Sequence, residues 1–250
     1  MANLLICGAL GRMGKKVYDA CKGSSLTPVC GIDRFEDLSN ANFPIFTSFD
    51  SVKDNIDVVI DFSAPTTLPS ILEFCEKNNV PAVLCATGYS EQDVKMVNDA
   101  SKKVALFRSA NMSLGVNVLV DLVKKACAVL GQNFDIEVIE KHHNQKVDSP
   151  SGTALMLADA CKEVLPEKFY VYGREGLVGK RNQNEIGIHA IRGGNIVGEH
   201  DVIFAGENET ITLTHHAADR GVFANGAIKA AEFIIGKKPA LYNMNDVING

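Results

Sequence analysis

The sequence predicts an α/β protein, with a doubly wound parallel sheet first and then an α+β domain whose sheet is mostly antiparallel. Three observations carry this. Short apolar runs alternate with amphipathic helical stretches in the first part of the chain, the βαβ rhythm of a parallel sheet with right-handed crossovers. The run centred on Val58-Val59-Ile60 has an unbroken apolar centre, as a strand buried on both faces does. Further along, a strand and a helix give way to several strands in succession, which reads as α+β.

Taken in order, residues 4–7 form a buried strand ending at Gly8, and the helix after it puts Met13, Val17 and Cys21 on one face. Residues 26–33 and 57–62 are the next strands. Pro65 and Thr66 open a helix carrying Leu68, Ile71, Leu72 and Cys75. Residues 82–85 form a strand broken by Gly88. Ser90 with Asp93 three residues on predicts a capped helix through Ala100. Residues 104–107 form a fifth strand. A long amphipathic helix is expected over 114–130, a strand over 134–140 and a helix over 153–165. Segments 186–189, 197–204 and 210–213 are expected as antiparallel strands, with turns at Gly193-Gly194 and Gly206. An Ala-rich helix over 223–235 returns to the first domain.

Composition narrows the function. The chain has 250 residues, 46% hydrophobic and 22% charged, which excludes a disordered chain. A net charge of −5 lacks the broad positive field of a nucleic-acid binder. No stretch reaches the roughly 18 apolar residues of a membrane span. The seven cysteines form no C-x-x-C pair, and several sit in apolar runs, where cysteine behaves as a small hydrophobe. With no basic n-region ahead of an apolar run at the N-terminus, the reading is a reduced, cytoplasmic protein that binds neither nucleic acid nor membrane and holds no metal.

Gly8-Ala9-Leu10-Gly11-Arg12-Met13-Gly14 follows the first strand and opens the first helix. Glycine lets the backbone turn tightly and approach a pyrophosphate, while the helix N-terminus supplies N–H groups and partial positive charge. Asp33 ends the second strand about 20 residues on, the place of the acid that binds the adenosine ribose. The first domain is therefore read as a Rossmann-like nicotinamide dinucleotide domain, against a bare βα turn or a site for S-adenosylmethionine or FAD. Asp33 favours NADH and Arg34 suits the extra phosphate of NADPH, so either or both cofactors are expected.

The segment from Glu140 to Ala154 reads EKHHNQKVDSPSGTA. His142 and His143 sit at a strand end, Lys146 follows, and Ser151-Gly152-Thr153 starts a helix. This is an anion site with proton donors beside it. The N–H groups of Gly152 and Thr153 and the Thr153 hydroxyl can receive a carboxylate, and Lys146 and a histidine can transfer protons. The competing readings are a surface loop, a plain helix cap and a metal-binding histidine pair.

This segment resembles the E-x-H-H-x-x-K-x-D-A/S-P-S-G-T-A signature of the 4-hydroxy-tetrahydrodipicolinate reductase family, and the resemblance covers nearly the whole chain. The Gly8–Gly14 turn, Asp61-Phe62-Ser63-Ala64-Pro65, Ala86-Thr87-Gly88, the stretch from Ser109 to Asn117, Arg192-Gly193-Gly194, Gly198-Glu199-His200, and Arg220 with the stretch from Phe223 to Ala227 look like further family segments. The resemblance implies a dinucleotide-binding domain over 1–112 and 217–250, and a substrate-binding and oligomerisation domain over 113–216 that builds a homotetramer. It implies NAD(P)H-dependent reduction of a cyclic dicarboxylate, 4-hydroxy-tetrahydrodipicolinate, with loss of water, on the diaminopimelate route to lysine. Gly8, Ala9, Leu10, Gly11, Arg12 and Met13 would hold the pyrophosphate, and Asp33 the ribose. Cys85, Ala86 and Thr87 would line the nicotinamide through their backbone, and Ser109, Ala110, Asn111 and Met112 would close over the cofactor. His142 takes the acid–base position, Lys146 donates the proton, and His143, Gly152 and Thr153 bind carboxylate. Arg192 is a candidate second carboxylate partner, against a structural salt bridge. Cys85-Ala86 stands where many relatives carry Gly-Thr, Met112 where an aromatic is frequent, and Ser149 where Ala is common. The competing functions are a related amino-acid dehydrogenase and an NAD(H) sensor without turnover.

Overall fold

In the computed structural model, which describes residues 1–37 and 42–250, the chain divides into two compact units. Unit 1 comprises Met1–Leu114 and Arg220–Gly250; unit 2 is Gly115–Asp219.

Unit 1 contains β1 (Ala2–Cys7), α1 (Arg12–Ala20), β2 (Leu26–Ile32), β3 (Ile45–Phe46), β4 (Val58–Asp61), α2 (Leu68–Asn78), β5 (Ala82–Leu84), α3 (Glu91–Ala100) and β6 (Leu106–Arg108). Side chains alternate across a strand, so each central strand feeds two cores. Leu4 and Ile6 of β1 join one core with Val17 of α1, whereas Leu5 and Cys7 join the other with Leu68, Ile71 and Leu72 of α2 and Val97 of α3. That double burial explains the unbroken apolar run in β4, whose Val58 and Ile60 face one core and Val59 the other. The predicted cap is present: Ser90 Oγ accepts from the Asp93 N–H, and the Asp93 carboxylate accepts from the Ser90 N–H.

Unit 2 contributes α4 (Leu114–Leu130), β7 (Asp135–His142), α5 (Gly152–Val164), β8 (Phe169–Tyr172), β9 (Glu185–Arg192), β10 (Gly198–Ala205) and β11 (Thr210–Ala217). The chain then re-enters unit 1 with α6 (Gly221–Ile234), β12 (Leu241–Tyr242) and α7 (Met244–Asn249). The small residues Ala224, Ala227, Ala230 and Ala231 let α6 pack closely in the core that holds Val17 and Ile60.

The strand order of the first sheet is β12-β6-β5-β4-β1-β2-β3, and every pairing is parallel. The second sheet runs β11-β10-β7-β9-β8 and is mixed. β10 is antiparallel to β7 and β11, but β9 is parallel to both β7 and β8, not antiparallel as its sequence suggested. The connection through α5 makes β8 run with β7, and residues 173–184 carry the chain back before β9 begins. Leu119, Val123, Leu157 and Cys161 of the two long helices pack on Ile136, Val138, Ile188 and Val202 of this sheet.

Candidate active site

The β1–α1 turn is built by backbone, not by side chains. Gly8 has φ +76°, and a Cβ there would lie 2.8 Å from the Phe62 carbonyl oxygen. A Cβ on Gly14 would meet the Gly8 carbonyl and lie 2.7 Å from the Ala9 Cα. Several amides of the turn are already committed. The Gly8 and Ala9 N–H groups donate to the Ile32 carbonyl, and that of Gly11 to Gly8. The Leu10 N–H donates to Asp33 at 2.9 Å, and the Arg34 N–H to the other Asp33 oxygen at 2.7 Å. The donors left at the mouth are those of the first helical turn, Arg12, Met13 and Gly14, which lack intrahelical acceptors by geometry. Gly8 to Gly11 thus shape the turn, Asp33 fixes it, and the exposed Arg34 side chain stands beside it.

A cavity of about 410 Å³ in unit 1 gathers Met13, Cys85, Ala86, Thr87, Ser109, Ala110, Asn111 and Met112. Phe62, Ser63, Arg220 and Phe223 complete its lining and were not among the predicted site residues, although each lies in a segment that carries the resemblance. The Cys85 N–H is bonded to the Asp61 carbonyl at 2.9 Å. Burial, and then the Asp61 charge, push the Cys85 thiol well up, so it is not a nucleophile.

In unit 2 the site begins with a pattern in β7. Its inward row is Ile136, Val138, Glu140, His142, so the row that packs the core ends in two titratable groups. Across the sheet, Glu140 lies opposite His200 of β10, and His142 opposite Arg192 of β9. The Glu140 carboxylate is fully buried and accepts from four directions. Arg192 donates through both arms at 2.7 and 2.8 Å, His142 Nδ1 lies 2.6 Å away, and the Ser151 N–H donates at 3.0 Å. Burial alone would raise this carboxyl, but the bonds from Arg192, His142 and Ser151 outweigh it and hold it low. Both terminal nitrogens of Arg192 are thereby engaged, on Glu140 and on the Ile191 and Asp148 carbonyls at 2.8 and 2.7 Å, while its buried Nε has no partner among the described residues. The structural salt bridge, not a second carboxylate site, is what its geometry supports.

Ser151 caps α5, its Oγ accepting from the Ala154 N–H at 3.1 Å and lying 3.0 Å from His200 Nε2. The His200 ring stands edge-on to His142, centroids 5.1 Å apart. Burial, then the His142 charge, lower His200 to about 4, so it is neutral at neutral pH. Gly152 and Thr153 are the first two residues of α5, where amides point out of the helix end. Lys146 lies on the loop between, its N–H bonded to the His143 carbonyl at 3.1 Å and its ammonium to Asp148 at 2.8 Å. His143 is half-buried and lies outside the Glu140 network. Among the described residues no three potential ligands come together as a metal site.

A parallel sheet with this glycine turn, joined in one chain to a unit bearing paired titratable groups, defines an NAD(P)H-dependent oxidoreductase. The family models narrow this further: "Dihydrodipicolinate reductase, N-terminus" matches residues 2–112 and "Dihydrodipicolinate reductase, C-terminus" matches 115–248. The chain belongs to the dihydrodipicolinate reductase family. It is 52% identical to the 4-hydroxy-tetrahydrodipicolinate reductase of Caldanaerobacter subterraneus subsp. tengcongensis, over 99% of this chain and 98% of that one. It is 49% identical to that of Clostridium tetani, over 100% and 98%. The solved structure of a dipicolinate-bound dihydrodipicolinate reductase from Paenisporosarcina sp. TG-14 superposes with a TM-score of 0.81 at 25% identity, covering 98% of this chain and 99% of that one.

Proposed function

We propose that unit 1 holds the nicotinamide cofactor, and that unit 2 holds the substrate and supplies the protons. The reaction is the NAD(P)H-dependent reduction of 4-hydroxy-tetrahydrodipicolinate to tetrahydrodipicolinate with loss of water, in lysine biosynthesis. The residues present fit a dinucleotide: at Gly8 and Gly14 a Cβ would strike the backbone that shapes the turn, and the helix mouth carries amides aimed outward. Arg12, Met13 and Gly14 would receive the pyrophosphate on a turn shaped by Gly8, Ala9, Leu10 and Gly11. Asp33 would take the ribose, Arg34 would face the 2′ position, and residues 85–87 and 109–112 would line the nicotinamide. When bound, the reduced cofactor supplies a hydride.

The rest of the chemistry belongs to the chain. The substrate carboxylate binds at Gly152, Thr153 and His143, where helix N-terminus and imidazole offset its charge. The dipicolinate-bound relative supports a small dicarboxylate as the class of substrate. Reduction leaves electron density on the ring that must be protonated, and Lys146 gives that proton from its ammonium. Its bond to the largely exposed Asp148 is a weak surface pair that yields to substrate. His142 serves as the acid–base group. A homotetramer built through unit 2 and a cytoplasmic location belong to the same proposal; no helix among the described residues is long and apolar enough to cross a membrane.

The observation that carries this reading is the Glu140–His142 pair at the end of β7 beside the first turn of α5. The test is absorbance of NADH or NADPH while a synthase condenses pyruvate with aspartate semialdehyde in the same cuvette. Synthase-dependent oxidation is expected and ranks the two cofactors. No oxidation by protein that binds NADH would favour the sensor.

A further inference from the structure

We propose that Glu140 is a positioning residue: it fixes which ring nitrogen of His142 carries the proton and ties that ring to the first turn of α5. The proposal rests on the acid–base role given to His142.

An ionised carboxylate only accepts hydrogen bonds. Glu140 is held ionised by the two arms of Arg192, and His142 Nδ1 lies 2.6 Å from its Oε2. Neutral His142 must therefore carry its proton on Nδ1, which leaves the lone pair on Nε2 as the site of proton exchange. The alternative tautomer would set two acceptor lone pairs against each other in a buried site.

The same carboxylate reaches the helix. Its Oε1 accepts from the Ser151 N–H, and Ser151 is the cap of α5, so the ring and the proposed carboxylate-binding turn share one anchor. Arg192 also has a physical purpose here. A lone anion next to a binding site for a dicarboxylate would repel the substrate, and the guanidinium cancels that charge at contact distance. The buried, neutral His200 closes the other side of Ser151 without adding a competing cation.

The test uses the full chain with ¹⁵N-labelled histidine, the His142→Gln spectrum assigning the His142 signals. In the wild type the neutral ring is expected as the Nδ1–H tautomer. Glu140→Gln, which can turn an N–H toward the ring, is expected to populate the Nε2–H tautomer. It should lower kcat by at least about 30-fold, in the range of general acid–base contributions. The substrate KM and the NADH Kd should stay within about threefold, and Glu140→Asp should recover part of the rate. A wild-type ring protonated on Nε2 overturns the proposal even if no variant folds. So does a Glu140→Gln enzyme with unchanged tautomer and rate. His142→Ala separates the two layers. Wild-type turnover in that variant would remove the role of His142 itself, whereas an inactive His142→Ala beside a fully active Glu140→Gln removes only the positioning role.

Discussion

In the turn between β1 and α1 the groups proposed to recognise the cofactor are backbone amides, and what the residues contribute is the absence of side chains at Gly8 and Gly14. At the end of β7 the working groups are side chains, and what the fold contributes is a dry place where Glu140, Arg192, His142 and His200 meet. The first site is a matter of shape: nearly any Cβ destroys it, and pH matters little. The second is a matter of charge, where each proton and each ion pair counts. A steric site and an electrostatic site should fail in different ways.

The sharpest break in this comparison is Gly14→Ala. The added methyl would run into the carbonyl of Gly8 and the backbone of Ala9, which cannot swing aside as a flexible side chain would. Loss of NADH binding by at least about 100-fold is expected by fluorescence titration, since the third glycine of such a turn serves close helix–strand packing. A near-normal Kd would show that the turn is not the cradle.

Next in size is an acid effect confined to unit 2. The unfolded chain binds the His200 proton near the ordinary value of about 6.5, while the folded chain holds it off until about 4. The folded-state value is depressed. The stability that goes with a neutral His200 is therefore full above about pH 6.5 and is lost as pH falls toward 4. By pH 5 the loss is about 2 kcal/mol, at about 1.4 kcal/mol per pH unit. Urea unfolding of wild type and His200→Gln at neutral and acid pH should show the variant losing this part of the slope. Parallel slopes would count against it.

Gly152→Ala sharpens the contrast from the other side. A Cβ at Gly152 meets nothing within 4 Å, so the helix should be as stable as before or slightly more so. If a substrate carboxylate comes up to that amide, KM should rise by about tenfold while kcat and the melting temperature hold, the pattern of lost uniform binding. An unchanged KM would place the carboxylate elsewhere. The smallest effect is expected for Cys85→Ala. On the proposal that residue 85 meets the cofactor through its backbone, the NADH Kd should move by less than about twofold.

The comparison also explains what could be read ahead of the structure. The glycine turn and the His142–Lys146 segment are local in sequence, and their residue types announce their chemistry. The strands of unit 1 carry unbroken apolar runs because both faces are buried, so β1 and β4 were plain. β3 and β12 have two residues each and no period to detect. The direction of β9 depends on how the chain returns from β8, which no alternation within β9 encodes. Glu140 stood in the recognised segment, but its task depends on Arg192 and His200, which reach it only through sheet pairing. One signal was available: the inward row Ile136, Val138, Glu140, His142 puts a carboxylate where the alternation demands a core residue. The two readings of Arg192 could not be separated for the same reason, because its partner lies 52 positions away in the chain.

The central claim, that cofactor recognition and proton supply are separate in this chain, is tested most directly with Lys146→Ala. Turnover in the coupled assay and NADH affinity by fluorescence are measured on the same preparation. Turnover reduced by at least about 100-fold, with NADH affinity within about twofold of wild type, is the expected result. Full turnover would contradict the claim by removing Lys146 as the proton donor, and a parallel loss of NADH binding would contradict it by showing that the two tasks are not divided.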